Sequence, residues 1–258
     1  MLIGCTGRPD EYRELSETGF DYTEFPCRVI CQMNDDDFLS LRNQVDEISF
    51  PVLGMNIYCP PEVVIAGPGF DEDIVAVYAR KAAGRAGALG VRFIGIGSPK
   101  SRILPEDYDL ISARKELMTF LKITSEEFGN FGIKTTLEAL APCFCNFVNT
   151  LPEAYEIVKE FDDENIGLVA DFYNMEHSGE ADIDLSKYID KVFHMHISDD
   201  DGAPTKRSYL KPEKLSIHAS RISRLQQSPY NGMITIEVDV PFDKMRAENN
   251  LSFLKSLV

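Results

Sequence analysis

Apolar runs recur along the chain at a nearly constant interval, each followed by a stretch of helical composition. Leu2-Ile3-Gly4-Cys5 comes first, then a helical segment from Glu11 to Thr18 that Gly19 stops. Asp21 to Phe25 precedes an acidic helix start at Asp35-Asp36-Asp37, whose carboxylates suit the positive end of a helix dipole. Val52 to Ile57 leads through a Pro-rich connection into a long helix from Asp71 to Leu89, and Val91 to Ile96 leads into one from Asp107 to Phe128. Four further β-rich runs follow, at Ile133 to Leu140, Ile166 to Phe172, Val192 to Ser198 and Met233 to Val240. Their helices centre on Ala154 to Phe161, Leu185 to Ile189, Pro212 to Leu225 and Phe242 to Leu257.

Eight β-then-α units of about 32 residues each suit an α/β (β/α)8 TIM barrel, in which parallel strands close on themselves inside a ring of helices. An open doubly wound sheet also alternates β and α, but eight evenly spaced units favour closure. No segment reads as a linker, so residues 1–258 are expected to form a single barrel domain.

Side chains alternate across a strand, and in three late strands the two faces differ in chemistry. His194, His196 and Ser198 oppose Phe193, Met195 and Ile197; Thr235, Glu237 and Asp239 oppose Ile234, Ile236 and Val238; Thr136 and Glu138 oppose Leu137. A water-facing antiparallel sheet alternates in the same way, yet the intervening helices imply parallel strands covered on the outside. The polar face then points into the barrel, where unpaired charges are costly and a metal or ligand is the usual compensation. Glu138, Asp171, His196 and Glu237, at the carboxyl ends of strands five to eight, converge on the catalytic face. Three carboxylates and an imidazole make a hard, oxygen-rich site suited to one divalent ion, fitting Mn, Mg or Co and tolerating Zn. Singly, Asp171 also fits a helix cap, and either glutamate also fits a lysine pair. His194 lies one layer deeper and reads as packing behind His196 rather than as a ligand.

Composition narrows the partners. With 26 basic and 42 acidic residues the net charge is −16, which repels phosphate backbones and anionic lipid, so neither nucleic acid nor membrane is an expected partner. No apolar run approaches the length of a membrane helix and no signal-peptide core precedes Arg8, Asp10 and Glu11, so a cytoplasmic protein is expected. The six cysteines lack zinc-ribbon spacing and read as reduced, mostly core, residues.

The sequence resembles the xylose isomerase-like barrels, in particular the sugar phosphate isomerase/epimerase group with its ketose epimerases and inosose dehydratases. The residues that carry the resemblance are Leu137-Glu138 with Ala141-Pro142, Asp171 after Gly167 to Ala170, His194-Met195-His196, Ile236-Glu237, and the segment from Gly97 to Arg102. The resemblance implies a divalent ion on Glu138, Asp171, His196 and Glu237, with Glu138 and Glu237 exchanging a proton at a carbon next to a carbonyl of a sugar, polyol or sugar phosphate. It also makes a homodimer or homotetramer an expectation.

Several positions depart from the group's pattern. Asn174 stands where many of these epimerases have a substrate-contacting His, with His177 one turn on, and Phe144 and Gly202 stand where they have Glu and Arg. Expected substrate contacts are Glu24, Asn56, Ser98, Asn174 and His177, with Lys100, Arg102 and Lys206 available for a phosphate or carboxylate and Arg207 beside the last. Glu24 and Asn56 fit turn or capping roles as well, and Lys100 and Arg102 fit plain surface charge. Two other readings share the fold: a non-catalytic sugar-binding or partner subunit, and an abasic-site endonuclease, which the four histidines and the charge disfavour.

Overall fold

The structure, a computed structural model, describes residues 1–161 and 163–258. Eight parallel strands close into a barrel: β1 (Leu2–Thr6), β2 (Tyr22–Pro26), β3 (Val52–Asn56), β4 (Phe93–Ile96), β5 (Lys134–Glu138), β6 (Ile166–Asp171), β7 (Val192–Ile197) and β10 (Met233–Ile236). Every strand pairs with its neighbour in the series, and β10 closes on β1 with Ile3 opposite Ile234. The α/β barrel expected from the repeating units is the fold observed.

Nine α-helices are present among the described residues: α1 (Tyr12–Ser16), α2 (Cys27–Gln32), α3 (Asp35–Ile48), α4 (Glu72–Leu89), α5 (Leu110–Gly129), α6 (Leu151–Val158), α7 (Phe172–His177), α8 (Leu215–Gln226) and α9 (Lys244–Lys255). Of the six with eight or more residues, all but α8 carry side-chain caps that satisfy otherwise orphaned amides. Asp71 accepts from Asp73 N and Ile74 N at the start of α4, and Thr150 with Glu153 forms a reciprocal capping box on α6. Gly90 ends α4 at φ +79, a left-handed turn that favours glycine.

Four details differ from the sequence expectation. The helix expected near Leu185 to Ile189 is a single 3-10 turn at Leu185–Lys187, and the α-helix of that unit is α7, which starts directly on Asp171. An unexpected helix, α2, fills the space between β2 and α3; it has no side-chain cap and only six residues, so its local signal is weak. The eighth barrel strand stops at Ile236, where an extended run to Val240 was expected. A two-stranded antiparallel ribbon, β8 (Asp199–Asp200) and β9 (Arg207–Ser208), is inserted after β7.

The apolar core lies between barrel and helices, with Leu137, Met195, Ile197, Ile234 and Ile236 fully buried on the outward faces of their strands. Thr136, His194, His196 and Thr235, on the opposite parity, are buried inside the barrel. All six cysteines are free and five are buried. No described helix is long and apolar enough to cross a membrane.

Candidate active site

Strand order and parity bring four side chains together. Glu138 ends β5, Asp171 ends β6, His196 lies in β7 directly opposite Asp171, and Glu237 follows β10 with its amide still donating to Ile197 O at 3.1 Å. One ligand atom from each lies within 4.8 Å of the others, and all four residues are buried. Two of them, Glu138 and Glu237, line a cavity of about 450 Å³ whose wall also includes Phe144, Ser98, Lys100 and Arg207, a size common for small-ligand sites.

His196 is oriented from below. Its Nε2 lies 3.2 Å from Glu24 Oε2, and a carboxylate can only accept, so Nε2 carries a hydrogen; against the pull of burial the surrounding carboxylates also raise the ring's pKa, so Nδ1 would give its lone pair to an ion by losing a proton. Nδ1 faces Glu237 Oε2 at 3.1 Å and Glu138 Oε1 at 3.8 Å without making a hydrogen bond. Three ligand atoms turned toward one point, from hard and borderline donors, suit a divalent cation.

Glu24 is fully buried, and its other oxygen lies 2.7 Å from Nε2 of His194, whose ring stacks on Phe93 at 4.0 Å between centroids. The barrel makes room for this carboxylate at Gly54, where a Cβ would stand 2.7 Å from Glu24 Cγ and 2.2 Å from Phe93 Cζ. Glu24 therefore sits beneath the histidines and does not reach the mouth as a hydroxyl partner.

The remaining expected contacts divide. Asn56 donates to Glu237 Oε1 at 3.0 Å, which ties β3 to the cluster. Asn174, on α7, donates to Glu138 Oε1 at 2.9 Å and to Asp171 Oδ2 at 2.7 Å, while its carbonyl accepts from Ala141 N. Its amide is thereby committed to the protein. Asp171 also caps α7 through Tyr173 N, so the capping role and the cluster role coexist. Ser98 accepts from Cys59 N and lines the cavity, as does exposed Lys100.

Arg102 is not at the surface. It is fully buried and donates to the carbonyl of Glu138 at 2.6 Å, bracing β5 from behind. His177 packs its ring on Tyr173 away from the cavity wall, and Lys206 is exposed at the turn of the ribbon. Arg207 instead turns inward: Nη2 is 2.7 Å from Asp171 Oδ2, Nη1 is 2.6 Å from Glu237 Oε2, and Ser198 Oγ accepts from Nε and Nη2. Its sequence neighbour Lys206 drew the expectation because nothing in the local pattern shows which of two adjacent cations a ribbon turns inward.

The two glutamates experience different fields. Burial pushes Glu138 up to about 7, with Glu237 and Asp171 adding repulsion that the His196 contact only partly offsets. Burial acts on Glu237 in the same direction, but Arg207 and His196 overcome it and hold that carboxyl down at about 2. Two carboxyls whose environments drive them apart are the usual sign of an acid and a base.

Residues 12–257 match the family described as Xylose isomerase-like TIM barrel. An inosose isomerase of Halalkalibacterium halodurans is 30% identical over 149 residues, 55% of this chain and 52% of that protein. The inosose isomerase of Bacillus subtilis is 28% identical over 178 residues, 65% of this chain and 61% of that protein. The alignments thus span about half to three fifths of these curated relatives. Among solved structures, D-psicose 3-epimerase from Clostridium cellulolyticum H10 superposes with a TM-score of 0.79 at 15% identity, covering 100% and 99% of the two chains. A 3-keto-D-glucoside 4-epimerase from E. coli gives 0.74 at 18% identity, covering 99% of each. At these identities the superpositions speak for the fold.

Proposed function

The chain belongs to the xylose isomerase-like TIM barrel family, and on that premise we propose that it is a divalent-metal-dependent isomerase or epimerase of a small sugar, polyol or sugar phosphate. The observation that carries the reading is the convergence of Glu138, Asp171, His196 and Glu237 within 4.8 Å, with Glu138 and Glu237 at the wall of one cavity. The names of the relatives, inosose isomerases and ketose epimerases, agree with it.

Glu138, Asp171, His196 and Glu237 would hold the ion, Mn first among Mn, Mg, Co and Zn. When bound, it polarises carbonyl and hydroxyl oxygens of the substrate as a Lewis acid. Glu237, kept ionised by Arg207 and His196, takes the proton from the carbon next to the carbonyl. Glu138, which burial makes the more basic of the two, returns a proton to the neighbouring position or the opposite face. Asn56 and Asn174 fix the orientation of these two carboxylates through the oxygens they bond. A carboxylate held as low as Glu237 is a weak base, so proximity must supply much of the rate.

The test is solvent deuterium incorporation over a panel of ketoses and inososes with protein supplied with Mn²⁺, checked by mass spectrometry. Incorporation into at least one sugar is expected. Tight sugar binding with no incorporation would instead favour the partner-subunit reading, to which the committed amide of Asn174 lends some support.

Metal affinity should depend on pH in a defined direction. Below a pKa of about 7 Glu138 holds a proton that the ion must displace; above it the carboxylate is free. Against the pull of burial the nearby carboxylates also raise His196, whose extra proton an ion must displace as well, so the apparent affinity for Mn²⁺ is expected to fall as pH falls, about tenfold per unit above about pH 7 and more steeply below it, where more than one proton is released on binding. Chelator competition across that range checks this, and a flat profile would contradict it.

A further inference from the structure

Strand order divides the barrel mouth into two halves of opposite sign. Glu138, Asp171, His196 and Glu237 come from β5, β6, β7 and the end of β10, which are consecutive in the sheet. Across the same cavity, the connections after β2, β3 and β4 supply Arg28, Ile57, Cys59, Ser98 and Lys100, and no carboxylate from those three connections lines it among the described residues. In a chain with 42 acidic against 26 basic residues this is a local reversal of charge.

The cations of this half are unspent. Arg207 is committed to Asp171 and Glu237, and Arg8 pairs with Asp10. Arg28 and Lys100 are exposed and form no ion pair among the described residues. Asp239, from the β10 side, lines this cavity and an adjoining one together with Arg28 and offsets part of its charge, which leaves one of the two cations in excess.

This half is also a tied unit. Arg28 N donates to Ile57 O at 3.2 Å, Cys59 N to Ser98 Oγ at 2.9 Å, Ser101 Oγ to Pro60 O at 3.1 Å and Ile65 N to Ser101 O at 2.7 Å. Ile57 and Ser98 are held at φ +44 and +47, a left-handed conformation that a β-branched residue rarely adopts. Strain of that kind persists where surrounding bonds over-determine it and is common at ligand clamps.

We propose that Arg28 and Lys100 form an anion subsite, so that the substrate carries a carboxylate or phosphate at the end remote from Glu138 and Glu237. The proposal rests on reading those two glutamates as the reacting end. Of the two cations the sequence placed after β4, Lys100 stays in this role while buried Arg102 leaves it, and Arg28 of α2 takes its place.

Isothermal titration of the full chain, supplied with Mn²⁺, tests it with D-fructose, the terminal phosphate ester of D-fructose, and D-fructuronate. At low salt at least one anion is expected to bind on the order of tenfold more tightly than D-fructose. The advantage, taken relative to D-fructose in the same protein, should shrink by a similar factor in the Arg28→Gln, Lys100→Gln double variant. Both residues are exposed, so the fold should survive. Whichever anion binds tighter identifies the group as phosphate or carboxylate. The proposal is overturned if neither anion exceeds D-fructose, including where none of the three binds, or if the advantage survives in the double variant. Because binding is read apart from turnover, an anion preference without deuterium incorporation defeats the catalytic reading alone, and incorporation into neutral ketoses without such a preference defeats the subsite alone.

Discussion

Replacing Glu237 with glutamine is expected to lower deuterium incorporation by about 10²–10⁴-fold, the range for loss of a general base, with far-ultraviolet circular dichroism unchanged. The substitution keeps shape and one carbonyl oxygen, so the bond from Asn56 can persist. It removes the charge that Arg207 faces at 2.6 Å and sets an amide against that guanidinium, which still has Asp171. Metal content measured on the same preparation separates lost chemistry from lost ion.

The two-carboxylate reading makes a sharper demand on the same variant. If Glu237 and Glu138 address opposite faces of one carbon, the epimer presenting its proton to Glu237 stops exchanging, while the other still exchanges through Glu138. Glu138→Gln should show the mirror pattern. Equal loss from both epimers in both variants would remove the opposed-face mechanism and leave a one-face isomerisation.

The alternation in β5, β7 and β10 made most of this cluster legible. A polar side chain on every second residue of a strand flanked by helices has nowhere to point but into the barrel, so Glu138, His196 and Glu237 could be placed from spacing alone. Asp171 was harder to place, because all six residues of β6 are buried and the strand carries no alternation. Its residue type, its position at a strand end and the run from Gly167 to Ala170 before it were the signals. Arg102 was misplaced because arginine ordinarily reads as surface, and only the closed barrel shows that the loop after β4 folds it behind Glu138. Arg207 reaches the cluster from a two-residue strand whose partner is antiparallel, an insertion without the period of the barrel. Arg28 was missed with its helix, since α2 offers neither a cap nor enough turns to show a face. Glu24 does share the inward parity of Tyr22, whose hydroxyl meets Thr235 across the barrel. What the sequence lacked was depth along the strand, which decides between a residue under the histidines and one at the mouth.

That depth gives Glu24 its expected effect: Glu24→Gln should weaken Mn²⁺ binding about 10–100-fold, the range seen when the partner of a metal-bound histidine is removed. In the native protein the two imidazoles hold the Glu24 carboxyl well below its usual range against the opposing pull of burial, with Oε2 accepting from Nε2 of His196 and Oε1 standing as a counter-charge 2.7 Å from Nε2 of His194. Glutamine offers one acceptor and one donor to the same two rings. One histidine must therefore present an unprotonated Nε2, and where that ring is His196 the hydrogen moves to Nδ1, the nitrogen turned toward Glu237 and Glu138. A ring protonated there has no lone pair to give an ion. Chelator competition reads the affinity, and long-range ¹H–¹⁵N correlations of the imidazoles read the tautomer directly, which a merely structural role of Glu24 would leave unchanged. Glu24→Leu is the poorer probe, because it strips both rings of their partner in the middle of the barrel and is expected to cost about 3–5 kcal/mol of stability. Affinity within about twofold of the native protein, with the His196 tautomer unaltered, would show that the buried carboxylate only fills space beneath the site.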